Sequence, residues 1–219
     1  MNQFNIENTL QAVHRLCTSA TAISAASGSS SLYLELCTTM QLVLQLYRSS
    51  LGGRLHLLLP LLIQLLSCLF VSINNRSSRS IFHHPSWLHS SKPLGPKHAA
   101  RFTRLVTLLC NPPQSTISGY RSRSHKPGLV DELREARLHV SELAGMIMHS
   151  FCRFLLNGTL QDGVKEALNP ALYAVFDVLD MAAPDDERVK ALGASMTKAE
   201  LALLRREHGE WKRFGRWQG

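Results

Sequence analysis

The most constraining feature of this chain is the run RLHLLLPLLIQLLSCLFVS at residues 54–72. Residues 55–73 are almost continuously apolar and approach the length of a membrane-crossing helix. Such a segment has two stable destinations, a bilayer or a protein interior, because apolar area left in water costs about 25 cal/mol per Å². His56, Pro60, Gln64 and Ser67 recur at intervals of four, four and three, so they share one helical face. A narrow polar stripe on an otherwise apolar helix is the pattern of a helix buried on most sides. The aromatic belts that mark a bilayer interface are missing at both ends. A buried core helix is therefore the expectation, with a membrane anchor at residues 55–73 as the alternative.

Helical periodicity recurs along the rest of the chain. Residues 3–18 space Phe4, Ile6, Leu10, Val13, Leu16 and Cys17 as an amphipathic helix, and residues 19–31 (SATAISAASGSSS) read as a flexible connector. Residues 32–48 resume the period, and Leu51-Gly52-Gly53 supplies a turn into 54–72, an expected αα-hairpin. Residues 73–96 lose periodicity in a Ser/Pro/Asn/His-rich loop with the composition of a disordered linker. Residues 97–111 return to helix until Asn111-Pro112-Pro113, since a residue before proline disfavours the helical region. A second polar linker spans 112–128.

From residue 129 the pattern tightens. Residues 129–156 predict one long helix with Leu133, Leu138, Leu143, Met146, Ile147, Phe151, Phe154 and Leu155 inside, capped by Asn157-Gly158. A further helix covers 161–181 with a kink or restart at Asn169-Pro170. A short one follows Ala183-Pro184, and a last one, 198–214, is capped by Ser195 or Thr197. No segment shows a strand period. The expected class is all-α, stacked antiparallel helix pairs in an α-solenoid-like array with two Ser/Pro-rich disordered linkers. The expected division is 1–31, an N-terminal helix with its linker, and 32–218, a helical domain interrupted by loops 73–96 and 112–128.

Charge narrows the partners. The chain has 24 Lys plus Arg against 16 Asp plus Glu, a net of +8. Residues 1–130 hold twelve of those cations and only two acids, Glu7 and Glu35, a net of +10; residues 131–219 net −2. An anionic partner follows from that asymmetry: RNA, DNA or an acidic membrane face. Cys17, Cys37, Cys68, Cys110 and Cys152 lie far apart in apolar surroundings, as buried free thiols do, which suits a reducing compartment. The first sixteen residues lack the regions of a signal peptide.

Chemistry-bearing motifs are sparse. His83, His84, His89 and His98 cluster in the loop region without Cys or carboxylate companions, so no metal site is expected. Asp177 and Asp180 share a helix face but have no Glu-x-x-His companion, which leaves them as surface polar residues. Asp185-Asp186-Glu187 is explained by a helix N-terminus. No phosphate loop, nucleophile elbow or HExxH occurs, and neither catalytic residues nor a cofactor are expected.

Two basic stretches suit an anion. Arg121, Arg123 and Lys126 in the second linker either contact phosphates or form a solvated tether. The tail carries Arg205, Arg206, Lys212, Arg213 and Arg216 interleaved with Trp211, Phe214 and Trp217, a mixture suited to phosphate contact and base stacking. The spacing by three favours a different use of the aromatics, as anchors of the last helix, with the cations outward. Tyr173 and Phe176, on the 161–181 helix, are further candidate structural anchors.

Several runs are familiar together and in order: Leu51–Pro60 (LGGRLHLLLP), Ala100–Pro113 (ARFTRLVTLLCNPP), Ala167–Val178 (ALNPALYAVFDV) and Trp211–Trp217 (WKRFGRW). Over residues 32–218 they resemble the C-terminal domain of the fungal nucleolar pre-ribosomal-associated, "unhealthy ribosome biogenesis" protein two family. The resemblance implies a nucleolar, non-enzymatic factor of early large-subunit precursors, needed for pre-ribosomal RNA processing. It also implies assembly-factor partners that include a DEAD-box helicase, with pre-ribosomal RNA as a further contact and no small-molecule substrate. Members of that family are large helical-repeat proteins, of which this chain would hold the C-terminal domain.

Overall fold

A computed structural model describes residues 3–18, 29–51, 54–73, 81–88, 92–113, 129–183 and 186–215. The helices are α1 (Gln3–Thr18), α2 (Ser29–Tyr47), α3 (Leu59–Ser67), α4 (Pro96–Cys110), α5 (Leu129–Asn157), α6 (Val164–Ala182), α7 (Glu187–Ala194) and α8 (Lys198–Glu210). Short 3-10 turns at Arg48–Leu51 and Leu55–Leu58 and a π-helical turn at Trp211–Gly215 complete the helical content. The one extended feature among the described residues is a two-residue antiparallel bridge, β1 (Val71–Ser72) with β2 (Gly158–Thr159).

The helices form two layers. α2, α4 and α6 lie side by side and run in the same direction. Ser30 Oγ meets His98 Nε2 at 2.9 Å near the starts of α2 and α4. At the other end, the Arg48 guanidinium donates to the carbonyls of Leu108 and Leu109 at 3.3 and 3.0 Å. Gly163, just before α6, approaches Pro96 so closely that an added Cβ would sit 3.0 Å from the Pro96 ring. Gly163 also has φ of 77°, a left-handed angle glycine adopts at little cost. Seven residues into α4, Thr103 Oγ1 donates to the Ala167 carbonyl at 2.6 Å.

α1, α3 and α5 make the second layer, again in parallel. Arg54 pairs with Glu7 at 2.7 Å, and Gln64 Nε2 donates to the Cys17 carbonyl at 3.2 Å. The ends of α3 and α5 meet through Phe70, whose ring lies 6.1 Å from Phe151 and 5.7 Å from Phe154, and through the β1–β2 bridge. The result is two three-helix layers, α1–α3–α5 and α2–α4–α6, joined by the contacts of α1 with α2 and of α5 with α6, with α7 and α8 closing the C-terminal end. The fold is all-α and stacked. One hydrophobic cluster runs through it, from Ile6 and Leu10 of α1 to Leu204 and Trp211.

Several expectations are corrected. The apolar run is broken into a 3-10 turn, the nine-residue α3 and a turn at Cys68–Phe70, with Leu55, Leu58, Leu61, Leu62, Leu65 and Leu66 all buried. Full burial of each such leucine contributes about 1.5–3 kcal/mol. No helix among the described residues is long and apolar enough to cross a membrane. α2 packs chiefly on α4 rather than pairing with the segment that follows it, because the 3.6-residue period names a buried face but not its neighbour. Of the loop read as a disordered linker, Phe82, Pro85, Trp87 and Leu94 pack into the core, while Ile73, His83, Ser86 and Lys92 are exposed. Trp87 and Leu94 are each 1% exposed, and the Trp87 indole donates to the Leu16 carbonyl at 2.8 Å. The second linker falls mostly outside the described residues. Phe4 of α1 is exposed, as are Leu138 and Met146 of α5, where Val140, Ala144, Met148 and Cys152 fill the seam instead. Asn157 ends α5, and Gly158 enters the bridge rather than only capping the helix.

Candidate partner and nucleic-acid interface

The C-terminal cap is built from a well-specified helix start. Thr197 is the N-cap of α8: its hydroxyl accepts from the Glu200 N–H at 3.3 Å, while Glu200 Oε2 accepts from the Thr197 N–H at 2.8 Å. Those donors hold the Glu200 carboxyl below its ordinary value, against the opposing effect of burial. α8 then brings Glu207, 2% exposed, into a buried position where Lys165 approaches at 3.1 Å and Arg206 at 2.7 Å. A buried carboxylate survives only with such partners.

The π turn folds Trp211 inward. It is 1% exposed, its ring 5.6 Å from Phe176 and 5.3 Å from His208, and its indole N–H donates to Asp177 Oδ1 at 2.8 Å. Lys212 reaches Asp186 Oδ2 at 2.5 Å, and this bond holds the Asp186 carboxyl below its usual range. Asp186 has φ of 59°, a left-handed conformation that aspartate tolerates better than most residues. His208 Nε2 lies 3.3 Å from Asp186 Oδ1, and burial lowers the His208 pKa against the opposing pull of that carboxylate.

The expected contact residues therefore separate. Arg206 and Lys212 are engaged in internal ion pairs, whereas Arg205 and Arg213 are exposed and lack a carboxylate partner among the described residues. Arg121, Arg123, Lys126, Arg216 and Trp217 lie outside the described residues. Among the aromatics, Trp211 and Phe176 are buried, Tyr173 is half-buried and Phe214 is 61% exposed. The i+3 spacing from Trp211 to Phe214 assumes α geometry; the π turn rotates Phe214 away from the core.

Residues set aside in the sequence prove structural. Asp177 receives the Trp211 indole and Asp186 receives Lys212, each a partner more than twenty positions away that no local pattern announces. The described histidines of the loop region serve separate contacts. His84 Nε2 meets the Ser67 carbonyl at 3.1 Å, His98 Nδ1 accepts from the Gly95 N–H at 3.2 Å, and His83 accepts from Gln64 through its carbonyl. No group of three or more metal-ligating side chains occurs among the described residues. All five cysteines are buried and free. A groove of about 380 Å³ between α7 and α8 has Val189, Gly193, Leu201 and Leu204 in its wall and Lys190 and Arg205 among its polar groups. Three further cations lie on α4: Arg101 and Arg104 inside the Ala100–Pro113 run that reads as a packing signature, and Lys97 just before it.

The sequence model of the Urb2/Npa2 family matches residues 1–219, the full length given. The chain belongs to the Urb2/Npa2 family. Its role accordingly lies in ribosome biogenesis. The match extends beyond residues 32–218 and takes in α1, which shares the hydrophobic cluster with the rest of the Urb2/Npa2 stack. No curated protein and no solved structure matches the chain.

Proposed function

We propose that this Urb2/Npa2 chain is a non-enzymatic scaffold in early large-subunit assembly and pre-ribosomal RNA processing, working in the nucleolus. The observation that carries the reading is the family match over residues 1–219 on a two-layer helical stack, an architecture that offers extended surfaces to partners. Its partners are assembly factors of the same precursors, a DEAD-box helicase among them, and pre-ribosomal RNA. Arg205 and Arg213 are the tail cations best placed for such contacts, being exposed and not committed to carboxylates among the described residues. Arg121, Arg123, Lys126 and Arg216 are proposed as further contacts on charge alone.

The test is sedimentation of tagged protein from a nucleolar extract. Co-migration with early large-subunit precursors, and loss of that peak after inhibition of ribosomal RNA synthesis, is the expected result. Migration of the protein only as a free species would sink the reading.

A further inference from the structure

Between Glu35 and Asp131 the chain contains no acid at all, while residues 36–130 carry eleven Lys and Arg. Within that interval α4 places Lys97, Arg101 and Arg104 at i, i+4 and i+7, a spacing that aligns them on one helix face. Lys97 and Arg104 are exposed and Arg101 is half-buried. None of the three lies within ion-pair distance of a carboxylate among the described residues, in contrast to Arg54, Lys165, Arg206 and Lys212. The opposite face of α4 is spent on packing through Phe102, Leu105, Val106 and Leu109. Leaving three cations in line and uncompensated costs self-repulsion, which a bound polyanion would relieve.

α4 is the middle helix of the parallel layer α2–α4–α6, so the N-terminal ends of the three helices gather at the end that carries Lys97. Asp162 and Glu166 offset that of α6, while α2 and α4 have no acid in their first turns. The stripe spans about 10 Å along the helix at 1.5 Å per residue, roughly three base-pair steps of a duplex strand. It carries no exposed aromatic ring, so base stacking has no platform there.

We infer that the outward face of α4 binds the phosphate backbone of RNA, independent of sequence, through Lys97, Arg101 and Arg104. This deepens the scaffold reading and rests on it for the choice of RNA as the polyanion. It adds a contact surface separate from the tail, and it makes the middle of the stack, not only its end, an RNA-facing element. Arg101, half-buried, stands at the centre of the stripe between the exposed Lys97 and Arg104.

The experiment is a salt titration of the full chain against a 20-base-pair mixed-sequence RNA duplex, read by fluorescence anisotropy. The variants are K97Q/R104Q, both at exposed positions, the same pair with R101Q added, and R104K. R205Q/R213Q serves as the tail comparison. The double variant is expected to bind about tenfold more weakly near 100 mM salt. Its log–log salt slope should fall by about 2, since each phosphate contact contributes about 0.9. R104K should keep the wild-type slope, because charge and not shape is being used. Circular dichroism of the double variant should match wild type; if the triple variant unfolds, the double variant decides. An unchanged slope in the double variant, no duplex binding by wild type, or preferential capture of polyglutamate over RNA would each overturn the inference. Failure of the scaffold reading looks different: wild type then leaves the pre-ribosomal fractions whatever the duplex titration shows.

Discussion

Trp211 concentrates more of the C-terminal cap than any other side chain, because it is at once buried, ring-stacked and hydrogen-bonded to Asp177. Trp211→Ala should cost about 3–5 kcal/mol by denaturant midpoint, the usual range for an emptied aromatic site. Trp211→Phe should cost less but still leave Asp177 without the indole donor. The cysteines make a second residue-scale case. Burial pushes the thiols of Cys17, Cys37, Cys110 and Cys152 up to about 12, and that of Cys68 higher still. A thiolate is the reactive species, so the native protein should resist a thiol reagent at neutral pH until it unfolds. The linkage sign follows from the same shifts. Above the ordinary thiol value of 9.0 the unfolded chain releases protons that the folded chain retains. Stability is therefore full below that value and should fall as pH rises from about 9 toward 12. A flat chemical-denaturation midpoint across that window would contradict this.

Elements are held by a few specific junctions. The start of α8 depends on the reciprocal Thr197–Glu200 pair, and Thr197→Ala should lower stability by about 1 kcal/mol. Glu200 has its carboxyl depressed in the folded state, so its contribution is present above its unfolded value and is lost as pH falls through the folded one. Glu200→Gln should flatten the acid limb of the stability profile, measured by urea denaturation at successive pH values. At the junction of α3 with α5, Gly158 has no room for a side chain: a Cβ would lie 2.8 Å from the Phe82 ring and 3.0 Å from the Val71 carbonyl. Gly158→Ala should force the β1–β2 bridge apart and destabilise by about 1–3 kcal/mol, visible in the thermal midpoint.

On the scale of the whole molecule, the packed core and the uncompensated cations lie on opposite surfaces. One hydrophobic cluster links α1 to the π turn. Leu10→Ala in α1 and Leu204→Ala in α8 should therefore shift the same unfolding transition rather than two. Two separable transitions in calorimetry, only one of them moved by each variant, would instead support a division between residues 1–31 and 32–218. Outward surfaces carry the cations: the α4 stripe in the middle of one layer and Arg205 and Arg213 at the cap. A chain that binds structured RNA along this length should lose affinity steeply with salt.

Helix identity was legible residue by residue, since burial against a neighbour imposes the 3.6 period that Leu10, Val13 and Cys17 or Phe102, Leu105 and Leu109 display. Start and stop signals such as Thr197, and Asn111 before Pro112-Pro113, were equally readable, because capping is local chemistry. The family motifs were also present in order, and so was the unequal charge. Which helix met which could not be read: α2 lies on α4, and Trp87 reaches back to Leu16, because periodicity carries no information about the identity of the neighbour. The tail aromatics show the same limit. Their spacing by three suggested a common inward face, but the π turn buries Trp211 and exposes Phe214. The division of the cations into those neutralised internally and those left outward was likewise a tertiary outcome. An ion pair depends on distance in space, and Lys165 meets Glu207, or Lys212 meets Asp186, only once the stack has formed.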